Sequence, residues 1–172
     1  MIFSRAEPLP SDVRQRAGLS ARERVLAWTG EQAHGWLVAT KEALVIVGAG
    51  EVIHLGWDEV ERASWDRDTE SLRIVEVGTF GAPRVTHQVS VAAPGDFLAV
   101  LRERVTSTLV LQSPGMTPDG RAFTVVVRRS PRDRSVRALV EYDAATDPED
   151  PAVVAAVEEA LRQVSWEIAA DL

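Results

Sequence analysis

Three histidines, two groups of carboxylates and one group of arginines are the side chains whose types could carry chemistry in this chain. His34, His54 and His87 are the only imidazoles. Metal binding or acid–base work would need them to converge, yet they fall in separate stretches with neither HxH nor HxxxH spacing. His87 alternates with valines, which predicts a hydrogen-bonded structural histidine on the apolar face of a strand. Asp66 and Asp68 flank Arg67, and Asp58, Glu59 and Glu61 follow Trp57. Paired carboxylates can hold calcium or share a proton, but calcium takes about six to eight oxygens and no EF-hand pattern occurs, so solvated turns are expected. GxGxxG, GxxxxGK[ST] and GxSxG are all missing, which leaves phosphate loops and a nucleophile elbow without support. No catalytic residue, metal ligand or cofactor is therefore expected.

The densest charge feature is Arg128, Arg129, Arg132, Arg134 and Arg137, interrupted only by Asp133. Alone it could grip phosphates, as β-ribbons do in a nucleic-acid groove. Glu141, Asp143, Asp147, Glu149 and Asp150 follow with no basic residue among them. A polyanion would feel both blocks. They read better as charge complementarity within the chain or between subunits, with an anion or partner contact through the five arginines as the alternative. Five Trp beside one Tyr are the other anomaly. Trp28, Trp36, Trp57 and Trp65 fall in successive extended stretches, and at least two are expected in a core. Trp rings are also favoured at binding surfaces. Trp166 is expected to anchor the C-terminal part.

These side chains sit on 172 residues, 45% hydrophobic and 26% charged. That describes one ordinary domain or two very small ones. Zero Cys excludes disulfides, thiolate metal sites and a cysteine nucleophile. A net charge of −7 argues against wholesale binding to nucleic acid or an anionic membrane. Residues 1–10 lack the apolar core of a signal peptide, and the longest apolar run, Ala43 to Gly50, is far short of the roughly 20 residues of a membrane span. A cytoplasmic location is expected. Lys41 is the one lysine among 19 basic residues, a bias that fits a GC-rich bacterial genome.

Ser11 to Ala17 reads as a short helix capped by Ser11 or Asp12 and ended by Gly18. Seven short extended runs follow: 25–29, 35–40, 44–47, 52–57, 60–65, 72–77 and 84–91. Asp96 is placed to cap a helix in which Phe97, Val100, Leu101, Val105 and Thr108 share one face. Pro and Gly concentrate between Ser113 and Gly120, the predicted linker. Beyond it, 123–127 and 136–142 predict a hairpin, and Asp150 with Pro151 starts a last helix with Val153, Val157, Leu161, Val164 and Ile168 on one face.

Glu23-Arg24-Val25-Leu26-Ala27-Trp28, Gly35-Trp36-Leu37-Val38-Ala39-Thr40, Ala43-Leu44-Val45-Ile46-Val47 and Ile53-His54-Leu55-Gly56-Trp57-Asp58-Glu59-Val60 carry a resemblance. In rhythm and order they resemble bacterial pleckstrin-homology-like (PH-like) domains, and the likeness covers roughly 23–108. The whole chain is also similar to an actinobacterial protein group that brings no function with it. The resemblance implies a binding or assembly module rather than an enzyme. Lipid-binding members of the family hold phosphoinositides with basic residues between the first two strands. Here that loop is Gly30-Glu31-Gln32-Ala33-His34, acidic where Lys or Arg is needed, which argues against phosphoinositides.

The expectation is an α+β protein of four parts. Residues 1–19 form a lead-in helix, and 20–112 a seven-stranded antiparallel PH-like barrel or sandwich with a capping helix. Residues 113–120 are a linker, and 121–172 a ββα tail packed on the barrel. Its expected role is a non-enzymatic cytoplasmic module that binds protein or assembles with itself. The alternatives are nucleic-acid or anion binding through Arg128–Arg137, and a small-ligand pocket or enzyme between barrel and tail, lined by Trp and His87.

Overall fold

In the computed structural model, which describes residues 8–31, 35–78 and 84–170, the alternating runs become strands and the helical-period stripes become helices. The protein is α+β, built on three antiparallel sheets with a helix near its C-terminal end. It divides into two compact units, Met1–Thr108 with Pro131–Asp133, and Leu109–Ser130 with Arg134–Leu172.

The first unit opens with helix α1 (Ser11–Arg16). Strands β1 (Val25–Glu31), β2 (Gly35–Thr40), β3 (Ala43–Val47) and β4 (Val52–Gly56) pair in chain order as one sheet. Strands β5 (Val60–Asp66), β6 (Ser71–Glu76) and β7 (Thr86–Ser90) form a second, and helix α2 (Phe97–Ser107) follows. The seven strands thus divide four and three. The expected barrel is not formed: among the described residues no strand pairing closes the two sheets into a shell. Between β4 and β5 the chain takes one 3-10 turn, Trp57–Glu59, held by the Gly56 N–H donating to Glu59 Oε2 at 2.7 Å. Such a turn leaves the extended geometry that a continuous ladder requires.

Strand β3 is buried at every position, so its sheet is covered on both faces. Leu37, Ala39, Leu44 and Ile46 join Trp57, Ile74, Phe97 and Leu101 in the main core. Val38, Val45 and Val47 point the other way and pack with Val13 and Ala17 at α1. An uninterrupted apolar run, rather than an alternating one, is what such a strand needs. On α2 the expected stripe is realised, with Phe97, Leu101 and Thr108 buried while Arg102, Glu103 and Thr106 are exposed.

The predicted side-chain caps of these two helices are corrected. Neither Ser11 nor Asp12 caps α1, which begins after Pro10, and Asp96 makes no capping bond for α2. Main-chain carbonyls close the first turns instead: Pro10 O accepts the Arg14 N–H at 2.9 Å and Pro94 O accepts the Phe97 N–H at 3.0 Å. Gly18, at φ +65°, ends α1 as expected, in the left-handed region that a glycine enters without strain.

The second unit has strands β8 (Leu109–Met116), β9 (Ala122–Arg129) and β10 (Val136–Tyr142) in the order β10-β9-β8, followed by helix α3 (Pro151–Ala170). The expected ββα tail is a βββα unit, and the stretch 113–120 is not a linker, because its first half completes β8. Pro114 and Gly115 imitate a turn in the sequence but are fitted to a strand. The Thr117 N–H donates to Arg121 O at 2.9 Å, which sets odd-numbered residues of β8 bonding toward β9. Pro114 therefore points its missing N–H to the open side of an edge strand, where no ladder bond is lost. Gly115 lies under the ring of Phe123; a Cβ there would stand 2.3 Å from Phe123 Cζ.

The start of α3 matches the sequence reading, with Asp150 Oδ1 accepting the Ala152 N–H at 2.8 Å. Val153, Val157 and Val164 pack with Phe123, Val125 and Val127. No helix among the described residues is long and apolar enough to cross a membrane.

Candidate functional site

The arginines singled out by the sequence lie on and around the β9–β10 hairpin. These strands pair without a slip from Val136↔Arg129 to Tyr142↔Phe123. Alternation along β9 sends Arg128 and Arg129 to opposite faces, so the five side chains do not form one convergent grip. Arg128 is 4% exposed and sits directly across from Arg137, which is exposed. Burial withdraws Arg128 from any external anion. Arg129 is half-buried, and Arg134 is exposed at φ +65° in the turn, its N–H donating to Ser130 O at 2.9 Å. Arg132 is exposed on 131–133, the three residues that group with the first unit. Like charges directly opposite on a sheet repel, so Arg128 offers Arg137 no attraction across the ladder.

The acidic block that follows is drawn partly to an arginine the sequence reading passed over. Arg121 Nη1 lies 2.8 Å from Asp150 Oδ2, and its Nη2 lies 2.8 Å from Asp119 Oδ2. Hydrogen bonds from Arg121 and from the Thr117 hydroxyl lower the Asp119 carboxyl to about 2. Arg121 also lowers Asp150, helped by the Ala152 N–H, while Asp150 and then Asp119 raise the guanidinium. One cation thus clasps the β8–β9 turn to the start of α3. The signal for it was an Asp-Gly-Arg turn, but its partner lies far along the chain and pairing of that kind has no local pattern. Burial raises the Tyr142 phenol.

The histidines are dispersed. His87 Nε2 meets Glu76 Oε1 at 2.6 Å across β6 and β7, a hydrogen-bonded position next to a core strand face. His54 is exposed on β4, and His34, with most of the 30–34 loop, lies outside the described residues. Asp66 makes a turn rather than a site: its Oδ1 accepts the N–H groups of Asp68 at 2.8 Å and Thr69 at 3.3 Å, which lowers its pKa. Among the described residues no three His, Asp or Glu side chains gather to hold a metal.

Among the tryptophans, Trp57 is 1% exposed and donates from Nε1 to Thr40 O at 3.1 Å. Trp65 packs against the same core and donates to Val91 O at 3.0 Å. Trp28 and Trp36 stack at a tilt, their ring centres 5.4 Å apart, beside the core under α1. Trp166, expected as an anchor, is instead 79% exposed on α3. Its ring lies past Val164, on the side of the helix that the apolar stripe leaves bare.

The first unit also carries a groove of about 340 Å³, lined by Thr29, Gly30, Thr69, Glu70, Ser90 and the chain up to Ala93. It holds neither a tryptophan nor His87, so it is not the pocket the sequence suggested. Met116 is 69% and Val110 39% exposed, and with Pro114 they line the exposed face of β8. No family model matches this chain, and no curated protein matches it either.

Proposed function

We propose that this protein is a non-enzymatic interaction module of the cytoplasm, binding protein partners or a second copy of itself, with a PH-like first unit. The division of seven strands into four and three, followed by an amphipathic helix, supports the PH-like reading. The observation that carries the interaction reading lies in the second unit, where Val110, Pro114 and Met116 are exposed on one face of β8, with Gln112 between the first two. Trp166 stands bare on α3 of the same unit. Isolated apolar side chains at a surface are ordinary; several on one strand face favour contact with another chain. The burial of Arg128 speaks against a polyanion as that partner.

Sedimentation of the purified chain, together with co-purification from native lysate, tests this. A protein partner whose retention weakens in the double variant Met116→Ser and Trp166→Ser, or self-association of the chain, is the expected result. A strictly monomeric chain that retains no protein would overturn it.

A further inference from the structure

We infer that β10 is a self-pairing edge, through which two copies of this chain join their three-stranded sheets around Leu139. The inference rests on the self-association arm of the reading above and places that contact on β10, at the opposite margin of the sheet from β8.

β10 is a terminal strand of its sheet, and Val136, Arg137 and Ala138 at its start are all exposed. Its hydrogen-bond phase is fixed at both ends. Ser135 O accepts the Ser130 N–H at 2.8 Å, and the Asp143 N–H donates to Ala122 O at 3.2 Å, both in the register of the β9–β10 pair. Odd-numbered residues therefore turn their backbone groups to β9, and the even-numbered ones, Val136, Ala138 and Val140, turn theirs to the open side. An edge of this kind recruits another strand through its main chain.

The sequence of the strand selects the register. Arg137 and Glu141 are the only charged residues of β10. Both lie on the face away from α3, since Val140 and Tyr142 pack toward it. An antiparallel copy centred on Leu139 sets each Arg137 against the other copy's Glu141, and each Ala138 against the other copy's Val140. Ala138 and Val140 then meet as hydrogen-bonded pairs, which agrees with their outward groups. Arg137 and Glu141 meet as the closer, non-hydrogen-bonded kind. Moving the centre to Arg137 or to Glu141 opposes like charges; a centre on Ala138 sets Arg137 against Leu139 and Glu141 against Ser135, and a centre on Val140 sets Arg137 against Asp143 but Glu141 against Leu139. Only the Leu139 centre pairs both charges. It also supplies Arg137 with a carboxylate, where its own neighbour across β9 is Arg128.

The test is sedimentation equilibrium of the full chain beside three variants: Arg137→Glu, Glu141→Arg, and the two together. The expected result is a dimer weakened about tenfold by either single change, because symmetry repeats each repulsion, and restored by the double exchange. Circular dichroism checks that each variant keeps its fold; Ala138→Pro, which removes an outward N–H, serves if a charge variant does not. A monomeric wild-type chain that retains another protein would overturn this inference and leave the interaction reading standing. A dimer indifferent to all the variants would do the same. A monomer without any partner would overturn both.

Discussion

At Arg121 a single guanidinium meets two carboxylates, and this sets how the second unit responds to acid. Between the ordinary 3.8 and about 2, an unfolded Asp119 binds a proton that the folded one refuses. Stability therefore rises with pH across that window, is fully present above it, and is lost as pH falls through it. Arg121→Gln should flatten this acid limb in thermal melts taken from about pH 4 to about pH 2, and added salt should flatten it in the wild type, because the pair is open to solvent. Gly115 offers a second residue-scale test. A methyl group there meets the Phe123 ring, which is 3% exposed and has nowhere to retreat. Gly115→Ala should destabilise the chain by about 1–3 kcal/mol in denaturant titration. At Gly50, where nothing lies within 4 Å, the same change should be neutral or slightly stabilising.

Helix α2 is held by its buried stripe rather than by its ends. Its N-terminal side chain makes no cap, whereas Phe97 and Leu101 are 1% and 4% exposed. Phe97→Ala should therefore destabilise by about 3–5 kcal/mol, and Arg102→Ala on the exposed side by no more than about 0.5 kcal/mol. Equilibrium unfolding distinguishes the two. The same contrast explains what could be read in advance. β1 to β7, α2 and the start of α3 were legible because alternation, helical spacing and the Asp150-Pro151 pair are local signals. β8 was not, since Pro114 and Gly115 are turn residues everywhere except on an edge strand beneath an aromatic ring. The division of β1–β7 into two sheets depends on which strands pair, and no short window contains that. The candidate site was legible only as a composition. The arginines were visible, but their distribution between faces, the burial of Arg128 and the role of Arg121 all follow from pairings across distant segments.

For the molecule as a whole, the net charge of −7 outweighs the local arginine cluster. Near physiological ionic strength the chain should pass through immobilised heparin unretained and be held by an anion exchanger at neutral pH. Retention on heparin that disappears in Arg134→Ala with Arg137→Ala would instead favour an anion as the ligand. The two units have separate cores, with Leu44 and Ile74 in one and Val125 and Val153 in the other. Amides of β3 and of β9 are therefore expected among the slowest to exchange in their respective units.

Pro114 has a consequence for how far assembly can run. A sheet with two receptive margins would go on adding copies and grow into a fibre; with Pro114, which cannot donate, on the other margin, the assembly we infer through β10 is expected to halt at a closed pair. Replacing Pro114 with valine should unseal it, and light scattering should then record particles that lengthen with protein concentration instead of a fixed mass.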